Sequence, residues 1–357
     1  MSGFQERKAF QAYPSTGSLL GLAQAGLTPS LQLHGALSLL TFGAARVTDR
    51  VELKDWLWPS GIVLNTWAAF LAHKAAESPN STVLDALIRL PWPHKLLLGG
   101  VTAWGTRLFY RIATRSAARK GDDPRYTAVK KEENFWYKAL LSLFLPEAIF
   151  QSIISLPFTL PFRLGAIQPE GRGVAYQSGP EPQIAEIYRG LAVGLFCTGF
   201  ALEVLADHQL EEYKRQEAEE PQGGLNKSGV WSIVRHPNYL GDFLVHLAFP
   251  FLLLSSSATN QIDPILTFLG PLANYAFLRY VGGDKETEQS QKDRYDHDAQ
   301  RGDTAAAIKA REFVDYREAE NSFWPKPKEI TNRWTWIAIS CGAVGVLVEK
   351  AIRGQLF

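Results

Sequence analysis

Eight consecutive residues, Arg235-His236-Pro237-Asn238-Tyr239-Leu240-Gly241-Asp242, place a guanidinium, an imidazole, an amide, a phenol and a carboxylate at the start of an apolar run. Pro237 suits the first turn of a helix, where its missing N–H costs nothing, so the pattern predicts a helix beginning there. Free N–H groups at such a start attract anions, and Arg235 just ahead of them would reinforce a phosphate or carboxylate site. A basic-aromatic collar at lipid headgroups would explain Arg235 and Tyr239 as well. It would not explain Asp242, because a carboxylate one turn inside an apolar helix costs roughly 2.5–3.5 kcal/mol unless it is paired or lines a polar cavity.

Three other stretches set polar groups inside apolar surroundings. Glu147 and Gln151 are one turn apart in a run loosened by Pro146, and they fit either a functional pocket or a hydrogen bond to a neighbouring helix. Glu203 and Asp207, four apart, share a helix face, and Lys214 returns to that face seven residues later. Trp104, Arg107, Arg111 and Arg115 form a stripe at spacings of three and four. The stripe reads as a basic anchor, except that Arg107 lies a turn deeper than an anchor requires.

The elements that must position these groups are helices. Apolar runs fall at about 31–46, 57–73, 93–111, 138–161, 188–206, 238–256, 262–280 and 333–349, several near the length that crosses a bilayer. The expected fold is an all-α, multi-pass membrane bundle of about 7–8 transmembrane helices, with cytosolic loops folding over the C-terminal half. No Gly-rich dinucleotide fingerprint and no alternation of strands with helices supports a Rossmann domain. A net charge of +1 gives no reason to expect nucleic acid. Cys197 and Cys341 both sit in apolar runs, which suggests neither a disulfide framework nor a zinc site, and no metal is expected. The first twenty residues do not read as a cleavable signal peptide.

Charge sets the expected orientation. The 111–131 connection carries Arg111, Arg115, Arg119, Lys120, Arg125, Lys130 and Lys131 against Asp122 and Asp123, and so should be cytosolic. Counting spans puts the 207–237 and 281–332 connections on the same side. The sequon Asn80-Ser81-Thr82 then falls on the opposite side, while Asn226-Lys227-Ser228 stays cytosolic and unmodified. The uncharged stretch around Ser255 to Gln261 also faces away from the cytosol. The charged linker from Glu217 to Gly224 contains Pro221, the segment 300–307 reads as a surface insertion, and the aromatic Phe313 to Pro325 tail should fold back on the membrane domain.

Trp104 with Arg107, Gly121 to Tyr126, Glu203 to Gln209, Arg235 to Asp242 and Tyr316 to Pro325 together resemble the steroid 5-alpha-reductase superfamily, closest to its branch of domain of unknown function 1295. The resemblance covers about residues 90–327. It divides the chain into N-terminal helices (1–90), a reductase-like membrane domain (91–327) and an extra hydrophobic helix (328–357). It implies an endoplasmic reticulum enzyme whose NADPH site opens to the cytosol and which reduces a polarised carbon–carbon double bond in a lipid or sterol-like molecule. By that likeness Glu203, Asp207, Lys214, Arg235, His236, Asn238 and Asp242 would face the cofactor, and Tyr316 and Arg317 would clamp it. The Arg-His-Pro-x-Tyr-x-Gly signature is also similar to isoprenylcysteine carboxyl methyltransferases, which use S-adenosylmethionine. NADPH brings a pyrophosphate and a 2′-phosphate and calls for several cations, which Arg235, Lys227, Lys214 and Arg317 could supply. A non-catalytic membrane protein is a third reading.

For a reductase, the cofactor performs the bond-forming step and the protein orients it. Tyr239 is a plausible proton donor, because a phenol stays protonated at neutral pH. Glu147 is the alternative, if apolar burial keeps it protonated.

Overall fold

The computed structural model describes residues 21, 23–119, 121–127, 129–165, 181–219, 224–256 and 264–356. Lys120, Pro221, the first twenty residues and the 257–261 part of the uncharged stretch lie outside them. The described residues form helices and turns, with no strand among them.

The N-terminal half contains α1 (Thr28–Thr48), α2 (Leu57–Glu77), a short α3 (Val83–Arg89), α4 (Trp92–Ala117), α5 (Phe135–Ile154) and α6 (Leu156–Gly165). The second half contains α7 (Pro182–Glu219), α8 (Pro237–Leu254), α9 (Pro264–Ala276), α10 (Asp284–Gln300), α11 (Thr304–Ala319) and α12 (Arg333–Leu356). Among the described residues four helices, α5, α7, α8 and α12, are long and apolar enough to cross a membrane. At 38 residues α7 is about 57 Å long, so its charged C-terminal turns project beyond an apolar layer of about 30 Å.

Sequence explains several boundaries. α8 starts at Pro237, as its missing donor predicts. α5 contains a π-helical turn at Leu140–Phe144, directly ahead of Pro146, where the proline cannot supply an N–H to the preceding turn. Thr82 caps α3 reciprocally with Asp85. The 300–307 stretch is the end of α10, a turn at 301–303 with Gly302 at φ 91°, and the first turn of α11, capped by Asp303 accepting from Ala306 N–H.

α8 is the most enclosed long helix, because α7 lies against it at backbone contact. A Cβ on Gly199 would come within 2.5 Å of the Gly241 carbonyl oxygen, and one on Gly241 equally close to that of Gly199. Small residues let the two backbones approach this closely where burial of side chains cannot drive association. α12 uses the same device on the other side of α7, with Gly342 and Gly345 against Gly194, Cys197 and Thr198. Its far end is tied by Glu349, which accepts from Trp92 Nε1 at 2.6 Å and from Arg353 Nε at 3.0 Å. In the N-terminal half, Arg163 donates to Ser30 Oγ at 2.8 Å and Asn65 Oδ1 at 2.9 Å, joining α1, α2 and α6.

The C-terminal tail does fold back. The N–H groups of Arg235 and His236 donate to the carbonyls of Asn321 and Ser322, each at 3.0 Å. Phe323 is wholly buried, packed edge-on to Phe243 and Tyr275.

Replacing Gly199 with Leu should force α7 off α8 and cost more than about 3 kcal/mol, by overpacking a backbone contact. Thermal denaturation in detergent should show the loss, while Gly35→Ala, whose new methyl meets nothing within 4 Å, leaves the midpoint within a few degrees. Equal behaviour of the two variants would remove the close approach as a determinant of the fold. Topology has its own test, since Asn80 is exposed whereas Asn226 Nδ2 is buried. In microsomes a glycan should be lost on Asn80→Gln and unaffected by Asn226→Gln, and a glycan on Asn226 would contradict both the burial and the orientation.

Candidate functional site

The polar centre is built where α4, α7, α8 and α9 meet. Glu203, only 2% exposed, accepts from Trp104 Nε1 at 3.1 Å and from Arg107 at 2.8 Å. Arg107 also bonds Asp207 and, at 3.0 Å, the Glu203 carbonyl. Its guanidinium therefore fills the space between the two acids that their four-residue spacing predicts. On α8, Asp242 accepts from Asn274 Nδ2 at 3.0 Å and lies near enough to Glu203 for the carboxylates to repel. His246, one turn on, is fully buried and stacks edge-on against Trp104 with centroids 4.8 Å apart. Buried polar atoms without partners gather on this face: Asn238 Oδ1, Asp242 Oδ1, His246 Nε2 and Asn274 Oδ1. Such atoms are costly to bury, which makes this the place where a further polar partner would gain most.

A second cluster closes the start of α8. Glu288 of α10 lies 2.9 Å from Arg235 Nε, 2.9 Å from His236 Nε2 and 3.2 Å from Arg317 Nε. Burial pushes this carboxyl up, but the hydrogen bond and charge of His236 and the charge of Arg235 outweigh it and hold the group at about 2. Arg235 further donates to the carbonyls of Arg317 and Glu320. Tyr316 donates to the Trp231 carbonyl at 2.6 Å. These residues lock the tail to the helix start. Arg235, Arg317, Arg279 and Lys326 also line a hollow of about 220 Å³ together with Ser322.

The third cluster joins the turn before α2 to the loop after α4. Lys54 pairs with Glu147 at 2.9 Å, and Gln151 Nε2 reaches Glu147 at 3.4 Å. Asp55 accepts from Arg125 at 2.5 Å and from the Tyr126 hydroxyl at 2.8 Å. Burial raises Asp55, but Arg125, Lys54 and the Tyr126 hydroxyl together hold it well below the usual carboxylate range. Burial raises the Tyr126 phenol, and the charge of Asp55 adds to the effect. Tyr239 lies beside this cluster, with its hydroxyl 3.1 Å from Thr287 Oγ1 and its ring stacked on His236. Arg125, Arg115 and Asp55 are close enough to act on the phenol.

Lys214 is surrounded by cations, the influential ones being Arg115, Arg111, Arg294 and Arg119. Arg111 and Arg119 are neutralised, by Glu211 at 2.6 Å and by Glu52 and Asp123 at 2.6 and 2.5 Å. Among the described residues, Arg115, Lys214 and Arg294 have no carboxylate within 4.0 Å.

The structure thus brings together Glu203, Asp207 and Asp242, with Asn238 on the same face of α8. It puts Glu147 in the Asp55 cluster, through Lys54, and Tyr239 near enough for Asp55 and Arg125 to act on it. It does not leave Arg235, His236, Tyr316 and Arg317 free for a ligand as the sequence suggests, because Glu288 and backbone carbonyls engage them. Lys227 is likewise paired, with Glu312 at 3.1 Å. Sequence reasoning passed over His246 and Asn274, which polar residues inside the apolar runs signalled, and His246 follows Asp242 by four. Lys54 and Asp55 carried no such signal, lying in an ordinary charged turn.

The fold and site define an α-helical protein with helices long and apolar enough to cross a membrane and a buried acid–arginine centre. The chain belongs to the family described as protein of unknown function (DUF1295), whose model matches residues 41–302, most of its length. No curated protein and no solved structure matches it.

Glu288 generates a pH prediction. A folded-state value of about 2, against an ordinary 4.5, means its contribution is complete above pH 4.5 and lost as pH falls towards 2. With allowance for solvent screening this is about 1–2 kcal/mol. Between pH 5 and pH 3 the parent's melting midpoint should fall more than that of Glu288→Gln, and parallel curves would show that the carboxylate does not hold the tail.

Proposed function

We propose that this protein is a membrane-embedded, NADPH-dependent reductase of a polarised carbon–carbon double bond in a lipid, related to the steroid 5-alpha-reductase superfamily. The observation that carries the reading is that Arg115 of α4 and Arg294 of α10 both act on Lys214 of α7, while none of the three has a carboxylate within 4.0 Å among the described residues. Like charges gathered without counter-ions destabilise a fold, so such a group is best understood as a receptor for an anion of high charge. The pyrophosphate and 2′-phosphate of NADPH fit that demand better than the single carboxylate of S-adenosylmethionine. In this reading the remaining apolar helices complete 7–8 spans, and the cationic side faces the cytosol at the endoplasmic reticulum. Lipid is the partner and nucleic acid is not.

When bound, NADPH would supply the hydride to the electron-poor alkene carbon. The chain's own part is positional and acid–base. Thr287 orients the Tyr239 hydroxyl, which gives its proton to the other alkene carbon or polarises a conjugated carbonyl. Glu147 is already engaged by Lys54, which leaves Tyr239 as the donor. Asp242 and Asn238 offer unpartnered acceptors to the amide or ribose hydroxyls of the cofactor, and Glu203, already held by Trp104 and Arg107, fixes the helix beside them.

Titration of the purified protein should show NADPH binding that weakens with salt, and Lys214→Glu or Arg115→Glu should weaken it at least tenfold, about 1.4 kcal/mol. Tyr239→Phe should keep NADPH affinity and lose turnover. Binding of S-adenosylmethionine in preference to NADPH, or charge reversals without effect, would overturn the proposal.

A further inference from the structure

Along the outer face of α4 runs a groove of about 1110 Å³ that takes no part in the reading above. Its floor is Leu98, Gly99, Thr102, Ala103 and Thr106, and its walls are Trp67 of α2 and Leu87 and Ile88 of α3. Small residues at helical spacing hollow it out, and a Cβ on Gly99 would meet nothing within 4 Å. The groove is not a packing defect within the bundle, because Gly99, Ala103, Thr106 and Ile88 are exposed along it. From Lys95 to Tyr110 it extends about 22 Å along the helix axis, longer than one leaflet's share, about 15 Å, of the bilayer hydrocarbon. Its volume lies above the roughly 300–1,000 Å³ of compact small-molecule pockets.

Its two ends differ in chemistry. At one end α3 exposes Val83, Leu84 and Ile88, an apolar edge suited to lying in the membrane interface, and Lys95 stands beside it. Lys95 has no carboxylate within 4.0 Å among the described residues, so its ammonium is available to an anion. At the other end are the exposed Tyr110 and Arg107, whose guanidinium is already committed to Glu203 and Asp207 and offers a ligand only its aliphatic stem.

We infer that this groove is a binding site for one glycerophospholipid with an anionic headgroup, its phosphate on Lys95 and one acyl chain laid along Gly99, Ala103 and Thr106 towards the Arg107 stem. The apolar floor recognises the chain and the unpaired ammonium recognises the head. A seated chain would also cover the lipid-facing side of Arg107 and shield the Glu203 centre. The inference stands apart from the reductase reading, since it concerns binding alone.

Native mass spectrometry of the full chain in mild detergent, with phosphatidylglycerol or phosphatidylcholine added, tests it. One phosphatidylglycerol should be retained per chain, in at least tenfold preference to phosphatidylcholine. Lys95→Glu should remove the preference, and Ala103→Trp should remove the bound lipid. Gly99→Leu fills the same space by a second route should Ala103→Trp fail to fold. Arg215→Glu, at a distant exposed cation, controls for general charge and should change nothing. Retention undiminished by either groove-filling variant, or a preference unchanged by Lys95→Glu or equally lost with Arg215→Glu, would overturn the inference.

Discussion

The structure depends most on the burial of Glu203. A carboxylate 2% exposed on an apolar helix must be matched, because leaving a buried charge unpaired costs roughly 3–5 kcal/mol. Arg107 matches it, and only a particular approach of α4 to α7 allows both nitrogens of that guanidinium to reach Glu203 and Asp207. Trp104, one turn earlier on α4, uses its indole N–H on the same carboxylate and its ring face on His246. That contact extends the constraint to α8, where Gly199 and Gly241 let the backbones meet. Arg107 and Trp104 of α4 thus tie that helix to both α7 and α8. Asn274 then draws α9 to Asp242.

Much of this was legible in the sequence, for a physical reason. A polar residue in an apolar run is expensive, so it announces a partner before the partner is known. Glu203, Asp207, Asp242, Arg107 and Glu147 could all be singled out on that ground. The start of α8 at Pro237 followed from one missing donor. What sequence could not show was which partner each group had taken. Arg235 beside a helix start fits an anion site, and whether the anion is a ligand or Glu288 depends on how α10 folds over some fifty residues later. Lys54 and Asp55 were hidden for the converse reason. Charge in a turn between helices is ordinary, and only the folded chain reveals that this turn is pressed against Glu147 and Tyr126.

Charges in this protein therefore fall into two kinds. Those at Glu203, Glu288 and Asp55 are paired inside the fold and act as struts. Among the described residues, Arg115, Lys214, Arg294 and Lys95 have no carboxylate within 4.0 Å. A paired charge contributes to one conformation of the chain. An unpaired cation near others raises the energy of the free protein, and an anion that binds relieves that repulsion as well as adding its own contacts.

This difference bears on how the buried acids are held in place. If the acids of the centre are already held by Arg107 and Asn274, their geometry is set before any ligand arrives, and a ligand need not organise them. Asn238 and Asp242 illustrate the point. Each keeps one buried oxygen without a partner, yet each is held on a helix whose position is fixed by a backbone contact to α7. The rigidity comes from glycines and ion pairs, and the few polar atoms that those contacts leave unused are what remains to take a further hydrogen bond.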